Sequence, residues 1–253
     1  MKITLLGTGT SQGVPLIACT CNVCSSVDTR DKRLRSSVMI EDKGKFFVID
    51  TGPDFRQQML REEAKSLDAV IFTHEHKDHI AGLDDIRAFN YIQKKKIDVY
   101  AATNVQNAII REFPYIFSDE KYPGIPEIDM HIIDDKPFFI GETEFIPIQV
   151  KHYKMPVLGF RIGDFTYITD ANFISEEEKQ KIKGSKVLVL NALRRETHIS
   201  HFTFEQAIEL SKELKAEKTY FTHISHQLGL HEEVEKELPQ NIRLGYDGLE
   251  FEL

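Results

Sequence analysis

The segment FTHEHKDH, residues 72–79, carries the strongest signal in this sequence of 253 residues. His74 and His76 end an apolar predicted strand, and residues two apart in an extended chain point to the same side. Asp78 and His79 follow where the strand must turn, so they can reach a second point nearby. Imidazole and carboxylate together suit zinc, manganese or iron, so we interpret the segment as metal-binding rather than as a solvated charged turn. It is not a zincin helix, because H-E-x-x-H would need a histidine where Asp78 stands.

Three more ligand-type residues each end an apolar predicted strand. They are His152 after EFIPIQVK, Asp170 after FTYIT and His223 after KTYFT. Any one of these residues alone would be explained more simply by a structural role. Layered α/β proteins gather their sites at the carboxyl ends of strands, so the shared placement favours one common cluster.

The cysteines form a second group, because CTCNVC, residues 19–24, contains all 3 cysteines of the chain. Three thiols make neither a closed set of disulfides nor a four-ligand metal site. A distant histidine would complete a Cys₃His site, the closed coordination typical of structural zinc. Spacing alone does not choose between His226 and His231.

Composition narrows the class of protein. With 41% hydrophobic residues the chain can bury a core without disulfides, and its net charge of -8 argues against nucleic acid and anionic membranes as partners. Unpaired thiols and the lack of a signal-peptide pattern favour a cytoplasmic protein. No repeat or linker is visible, so we predict one domain over residues 1–253, with a homodimer as the default assembly.

Short apolar runs and helical periodicity alternate along the chain. Strands are predicted at KITLLG, SSVMIE, KFFVID, AVIFTH, IDVYA, MHII, EFIPIQV, VLGFRIG, FTYITD, KVLVLNAL, KTYFTHIS and in the last residues, IRLGYDGLEFEL. Helices are predicted over 53–64 and 104–117 and after possible capping boxes at Ser175 and Thr203. This pattern predicts an α/β fold with mixed sheets in layers and helices outside.

The ordered set H-x-H-x-D-H, His152, Asp170 and His223 resembles the metallo-β-lactamase superfamily over nearly the whole chain. The resemblance implies an αββα sandwich of two mixed β-sheets flanked by helices, with two divalent metal ions, zinc or manganese, in the cleft. The implied ligands are His74, His76 and His152 for one metal and Asp78, His79 and His223 for the other, with Asp170 bridging. It further implies that Asp50 supports these ligands, although Asp50 also suits a simple turn in DTGPD.

A second element, HISHFTFEQA, holds candidates for protonating a leaving group. His201, with Thr203 and Gln206, resembles the H-x-T-x-x-Q-A element of the tRNase Z and phosphodiesterase branches, which implies a leaving-group role for His201. His198 is the alternative proton donor. Thr203 is better explained as a helix cap. Arg194 and Arg195 could bind phosphate, although adjacent arginines after a strand are as often solvated.

The GTGTSQGVP start, the C-x-C-x-x-C loop and the H-x-x-H pair at 223–226 resemble the phosphoribosyl cyclic phosphate phosphodiesterases of the carbon–phosphorus lyase pathway. The resemblance implies that Cys19, Cys21, Cys24 and His226 bind a structural zinc; free thiols are the alternative. Such a zinc would fix a loop beside the cleft, which favours a small substrate.

These features predict a dinuclear phosphodiesterase that hydrolyses a small phosphodiester, cyclic ones included, with Asp78 and His201 as catalytic residues. Two metal ions roughly 3.5–4 Å apart can activate water by lowering its pKa from about 15.7 toward roughly 7. The alternatives are a tRNase Z-like RNA-processing hydrolase, a thioester or lactam hydrolase, and a non-catalytic binding or cofactor-biosynthesis member of the fold. The acidic charge argues against the first, and the complete ligand set argues against the last.

Overall fold

The computed structural model describes residues 1–120 and 122–253 and contains two mixed β-sheets. In the first, the strand order is β15-β1-β2-β3-β4-β5-β6. Its strands are β1 (Lys2–Gly7), β2 (Ser37–Asp42), β3 (Lys45–Ile49), β4 (Ala69–Ile71), β5 (Ile97–Ala101), β6 (Ile128–Ile132) and β15 (Leu249–Glu252). Pairing is antiparallel from β15 to β3 and parallel from β3 to β6.

The second sheet repeats this arrangement. Its order is β11-β8-β9-β10-β12-β13-β14, with β7 paired to β8. Its strands are β7 (Phe138–Ile140), β8 (Thr143–His152), β9 (Met155–Ile162), β10 (Phe165–Ile168), β11 (Phe173–Ile174), β12 (Val187–Asn191), β13 (Lys218–Thr222) and β14 (Ile242–Leu244). Pairing is antiparallel from β11 to β10 and parallel from β10 to β14.

Helices lie outside the two sheets. They are α1 (Asn22–Ser25), α2 (Phe55–Arg61), α3 (Lys77–Ile80), α4 (Arg87–Gln93), α5 (Thr103–Glu112), α6 (Glu176–Ile182), α7 (Phe204–Leu214) and α8 (His231–Glu235), with 3₁₀ turns at Thr29–Asp31, Leu83–Ile86 and Pro114–Ile116. Apolar side chains of α2 to α5 pack on the first sheet, and those of α6 to α8 pack on the second. None of the helices in the described part of the chain is both long and apolar enough to cross a bilayer.

The two sheets pack face to face through a third apolar cluster. Phe47 of β3 and Phe145 of β8 meet edge to face across the layers, with ring centroids 5.4 Å apart. Such pairs contribute beyond the area that they bury. The predicted αββα sandwich of two mixed sheets flanked by helices is confirmed, whereas the extent of the domain, residues 1–253, stays a prediction.

Two predicted helices are shorter in the structure. The helix predicted over 104–117 is α5, which ends at Glu112 before the turn at Pro114–Ile116. Proline has no N–H and disfavours a helical residue before it, so the helix cannot continue through Pro114. The helix predicted over 53–64 begins at Phe55 and ends at Arg61.

Candidate metal centre

The predicted ligands converge because they follow strand ends of both sheets. His74 lies just beyond β4, His152 is the last residue of β8, Asp170 follows β10 and His223 follows β13. Asp170 and His223 have left-handed backbones, with φ of 50° and 55°. Such angles are uncommon for residues other than glycine and are frequent at functional sites. This local turn of the backbone lets each side chain enter the cleft directly where its strand stops.

One group of donors consists of Asp78, His79, Asp170 and His223. One donor atom from each lies within 4.8 Å of all the others. His79 Nε2 is 3.2 Å from Asp78 Oδ2 and 3.2 Å from Asp170 Oδ2. These are the residues implied for one of the two metals, together with the implied bridging aspartate.

The other group consists of His74, His76 and His152. The ring centroids are 4.7 Å apart for His74 and His76, 5.1 Å for His76 and His152, and 5.8 Å for His74 and His152. The ring of His74 is also 4.1 Å from that of His79, so the two groups are contiguous.

The donor atoms fit divalent cations. Within residues 1–120 and 122–253, His74 Nε2 and His79 Nε2 are buried and make no hydrogen bond. Buried polar atoms without partners are costly and therefore rare in folded proteins. A cation in the cleft would accept the lone pairs of these nitrogens, and the mixture of imidazole and carboxylate suits zinc or manganese. That these residues bind metal stays a prediction.

Hydrogen bonds on the far side of the rings fix the tautomers of the histidines. His152 Nδ1 donates to the carbonyl oxygen of Ser200 at 2.9 Å, and a carbonyl only accepts, so this Nδ1 carries the proton. His79 Nδ1 lies 2.7 Å from Asp50 Oδ2. Thr73 Oγ1 donates to Asp50 at 2.7 Å and accepts from His74 Nδ1 at 2.9 Å. The Nε2 lone pairs therefore face the cleft, as metal-ligating histidines require.

Asp50 thus does more than form a turn. Its φ of 66° is left-handed, and its carboxylate accepts from Thr73 N at 2.8 Å as well as from His79. The implied supporting role of Asp50 therefore agrees with its contacts.

The surroundings of the histidines shift their pKa values in different directions. Burial lowers the pKa of His74 and of His223, so both rings are neutral and can donate lone pairs. Burial also opposes charge on His79, but the carboxylates of Asp170, Asp78 and Asp50 outweigh it and raise its pKa well above the usual value. The three carboxylates around His79 therefore concentrate negative charge that a bound cation would neutralise.

The cysteine loop forms a separate group. Donor atoms of Cys19, Cys21, Cys24 and His226 lie within 4.8 Å of one another. The sulfurs are 3.4, 3.3 and 3.5 Å from His226 Nδ1. His231 instead lies against Arg33, whose Nη2 is 3.0 Å from His231 Nδ1. Geometry therefore favours His226 over His231 as the fourth member of this cluster, which we call the Cys₃His cluster.

The thiols of the Cys₃His cluster differ in acidity. The backbone N–H of Cys24, followed by His226, lowers the pKa of Cys21 to about 6, whereas burial raises the pKa of Cys24 to about 11. One thiolate is thus ready at neutral pH, and coordination to zinc would deprotonate the others.

His201 lies at the edge of the cleft. Its Nδ1 is 4.0 Å from Asp170 Oδ1, and its ring stacks on that of His223 with centroids 4.7 Å apart. Burial, followed by the nearby His223, lowers the pKa of His201 to about 2. His198 is more exposed, its ring centroid is 5.1 Å from that of His201, and burial and Arg194 lower its pKa. Both histidines line the same cavity at the edge of the cleft, and their predicted leaving-group role stays a prediction.

Thr203 acts as a helix cap, as expected. Its Oγ1 accepts from Gln206 N at 3.2 Å while Gln206 Oε1 accepts from Thr203 N at 2.9 Å. The other predicted capping box is only half formed, because Ser175 caps α6 but the Glu178 side chain accepts from Gln149 N instead.

Three hydroxyl residues near the cluster were not predicted from the sequence. Thr73 orients His74, while Thr10 Oγ1 is 3.2 Å from His223 Nε2 and Ser36 Oγ is 3.3 Å from His223 Nδ1. Hydroxyl residues next to glycine or a strand end are common, so spacing gives no signal. Contact with a histidine ring is visible only in the folded chain.

A family model described as a beta-lactamase superfamily domain matches residues 45–224. The chain belongs to the metallo-β-lactamase superfamily. Within it, the chain resembles the PhnP family. A solved structure described as a new diphosphatase from that family is 40% identical, with a TM-score of 0.94, covering 100% of this chain and 97% of the other. This superfamily member is a metal-dependent hydrolase.

Two curated relatives are longer proteins. An octanoyltransferase from Porphyromonas gingivalis is 42% identical over 99% of this chain and 51% of its own length. A ribonuclease Z from Nostoc punctiforme is 26% identical over 65% of this chain and 47% of its own length. The chain spans about half the length of the curated relatives it matches, so their whole activities do not transfer to it.

Proposed function

We propose that this hydrolase cleaves small phosphodiesters, cyclic ones included, at the cleft. The observation that carries the proposal is that two groups of close donor atoms share Asp170: one also contains Asp78, His79 and His223, and the other also contains His152 and His201. His201 Nδ1 lies 4.0 Å from Asp170 Oδ1. Two divalent cations, zinc or manganese, would supply activated water and neutralise phosphate charge at this position. Asp170 would be shared between them, and the Cys₃His cluster would hold a structural zinc.

The residues of the chain supply orientation and protons. Asp78 is partly exposed at the cleft, with Oδ2 3.2 Å from His79 Nε2, so its carboxylate can orient an attacking water. The water passes a proton to the Asp78 carboxylate as its oxygen bonds to phosphorus, the phosphorus–oxygen bond of the leaving group breaks, and the leaving oxygen takes up a proton. His201 is placed to deliver it. The ring of His201 is neutral in the free protein. An anionic phosphodiester bound beside the ring would stabilise its protonated form.

The cavity beside His201 fits a small substrate. It has a volume of about 320 Å³ and is lined by Thr10, His198, His201 and His226 among others. A larger cavity of about 710 Å³ lies near Arg56 and Tyr91 and includes none of the predicted ligands. We assign the substrate to the smaller cavity because its lining includes His201, which lies beside Asp170 of the cleft.

A second candidate is hydrolysis of a phosphoanhydride. The 40% identical structure is described as a diphosphatase. Attack of water on phosphorus with an anionic leaving oxygen needs the same donor arrangement for an anhydride as for an ester. An RNA-processing role has less support because the chain carries a net charge of -8.

The test is hydrolysis by the wild type and by Asp78→Asn. The substrates are a five-membered cyclic ribose phosphate, a 2',3'-cyclic nucleotide, a bis-aryl phosphate, a dinucleoside diphosphate and a tRNA precursor. Asp84→Asn is the matched control, because Asp84 pairs with Arg87 at 3.3 Å outside the cleft. We expect the wild type and the control to cleave a small diester while Asp78→Asn fails but stays folded. Metal-loaded protein that cleaves only the diphosphate would favour the anhydride, and protein that cleaves no phosphate compound would refute the proposal.

The assembly and location follow as further proposals. A cytoplasmic enzyme would keep the three thiols reduced for zinc. A homodimer stays the default expectation, and the mass of the native protein in solution tests it.

A further inference from the structure

Asn191, the last residue of β12, is fully buried and binds the backbone of a single residue, Ala171. Ala171 N donates to Asn191 Oδ1 at 2.9 Å, and Asn191 Nδ2 donates to the carbonyl oxygen of Ala171 at 2.9 Å. Because an N–H only donates and a carbonyl only accepts, these partners assign both ends of the amide. The side chain of Asn191 therefore holds the backbone directly after Asp170 in two places.

These two hydrogen bonds form where the pairing of two strands stops. β10 and β12 pair in parallel as far as Ile168 and Leu190. The chain then turns through Asp170, whose φ of 50° is left-handed and does not continue a strand. Buried backbone groups beyond such a turn still need partners, and the Asn191 amide supplies both an acceptor and a donor to Ala171. Asn191 thereby fixes the turn that carries Asp170.

The carbonyl of Ala171 also connects this turn to His201. It accepts from Phe202 N at 2.8 Å, and the carbonyl of Phe202 accepts from Leu193 N at 3.1 Å. Phe202 directly follows His201, whose Nδ1 is 4.0 Å from Asp170 Oδ1. The backbone beside Asp170 and the backbone beside His201 are therefore held by the same carbonyl.

Asn172 extends these connections to the turn between β8 and β9. Its Oδ1 accepts from Tyr153 N at 2.7 Å, and its Nδ2 donates to the carbonyl of Ile199 at 3.2 Å. Tyr153 follows one cleft histidine, and Ile199 lies two residues before another. The segments that meet at residues 170–172 carry one group of close donor atoms, that of His152, Asp170 and His201.

A second buried polar pair on the same two layers of the sheet shows the contrast. Thr166 of β10 has its Oγ1 2.7 Å from Ser185 Oγ, and both residues are buried. Neither residue adjoins a cleft donor in the sequence. Thr166 therefore offers a control that shares the burial of Asn191 and the strand that leads to Asp170, but not the connection to the cleft.

We propose that Asn191 is a positioning residue that keeps Asp170 and His201 in their relative positions through the backbone of Ala171. The inference rests on the proposed phosphodiesterase function. There Asp170 would be shared by the metal ions and His201 would protonate the leaving oxygen, so a displacement of either side chain slows the reaction in its own way. Small displacements caused from outside the reacting groups can have large effects on rate.

The first test is a cobalt titration of Asn191→Asp, which keeps the shape of the side chain but replaces the donor to Ala171 by an acceptor. We expect the affinity of the cleft for cobalt to fall roughly 10- to 100-fold, as on loss of other partners of metal ligands. The d–d absorption of cobalt in the cleft should change, while the thiolate absorption of the Cys₃His cluster should not. Thr166→Val should lower the urea midpoint but leave the affinity of the cleft within about 2-fold. Equal affinities in the two variants would overturn the proposal.

The leaving group of the substrate tests the connection to His201. A nitrophenolate leaves without a proton, whereas the alkoxide released from a five-membered cyclic ribose phosphate needs one. We expect Asn191→Asp to reduce kcat for the cyclic ribose phosphate on the order of 10-fold more than for bis(4-nitrophenyl) phosphate. Equal reductions for both substrates would contradict the connection to His201.

The titration also separates this proposal from the proposed function. If the wild type cleaves no phosphodiester but cobalt affinity falls in Asn191→Asp and not in Thr166→Val, the positioning of Asp170 by Asn191 stands and the phosphodiesterase function fails. If Asn191→Asp does not fold, Asn191→Ala, which removes both hydrogen bonds without burying a charge, replaces it in the same titration. Unchanged cobalt affinity in Asn191→Ala would overturn the proposal.

Discussion

The cleft and the Cys₃His cluster differ in what holds their donor atoms together. In the cleft, the donors follow strand ends of two sheets, and hydrogen bonds such as His152 Nδ1 to Ser200 O at 2.9 Å orient the rings. The cysteines instead lie on the loop around α1, whose apolar cluster has Val14, Val23 and Cys24 as its buried members.

The comparison indicates at which of the two sites the folded shape depends on a bound metal ion. The cleft is shaped by sheets that have large cores of their own, so we expect it to persist without metal. The cysteine loop has only a small hydrophobic cluster to stabilise it. We therefore expect its shape to depend on a bound ion, as in small zinc modules. Loss of metal should therefore abolish catalysis at the first site and mainly reduce stability at the second.

The largest effect should come from Asp170→Asn. Asp170 is buried, and its Oδ2 lies 3.2 Å from His79 Nε2 and 3.2 Å from His223 Nδ1. Removing its charge should lower kcat/KM for a small phosphodiester on the order of 10³-fold, a loss of several kcal/mol at the transition state. Metal content should fall in the cleft while the Cys₃His cluster stays loaded. Full activity with one metal fewer would contradict this.

Cys21→Ser should have the opposite effect and reduce stability more than activity. We expect the loss of about one metal ion per chain and a fall in the free energy of unfolding of about 3 kcal/mol. The change in kcat should be no more than about 10-fold, because no donor of the cleft is altered. Ser25→Ala, an exposed position in the same helix α1, is the control. Urea unfolding and metal analysis of both variants test this, and unchanged stability would show that the ion does not support the loop.

Asp50→Asn should have a smaller effect on the cleft. Asp50 Oδ2 is 2.7 Å from His79 Nδ1 and holds that ring from behind. Loss of such a partner costs roughly 10- to 100-fold in metal affinity or activity. Asp68→Asn, which removes a carboxylate that pairs with Lys95 at 2.8 Å on the surface, is the control. Metal titration followed by activity measures the shift, and equal affinity in both variants would exclude a supporting role.

The smallest predicted effect is on the pH dependence of stability and comes from His231, near the Cys₃His cluster. Burial, followed by Arg33, lowers the pKa of His231 to about 4, against about 6.5 in an unfolded chain. Between these values the unfolded chain binds the proton and the folded chain does not, so stability falls as pH drops. We expect His231 to contribute about 1–2 kcal/mol of that fall after allowance for solvent screening. Urea unfolding of the wild type and His231→Gln from pH 7 to 4.5 should show converging curves, and parallel curves would contradict this.

The sequence predicted the parts of this molecule that depend on local pattern. The strand before His74 is a run of apolar residues, and the order of histidines and aspartates along the chain indicated the sandwich. The capping box at Thr203 was also predicted and is formed.

Features that depend on tertiary contact were not predictable. The short helices α3 and α4 follow packing against the first sheet, since four to seven residues carry too little periodicity to detect. The choice of His226 over His231 depended on resemblance, because both follow β13 and only the folded chain shows His231 against Arg33. Thr10 and Ser36 contact His223 across long sequence separations, which no local spacing encodes.

The most direct test is a cobalt titration of metal-free protein, followed at once by thiolate-to-cobalt charge-transfer absorption and by hydrolysis of a small cyclic phosphodiester. The absorption reports the Cys₃His cluster and should saturate with about one ion per chain. We predict that hydrolysis follows the ions bound elsewhere and reaches its maximum only when the cleft is filled. Activity that rises and saturates together with the thiolate absorption, or that never appears, would contradict a catalytic metal centre in the cleft.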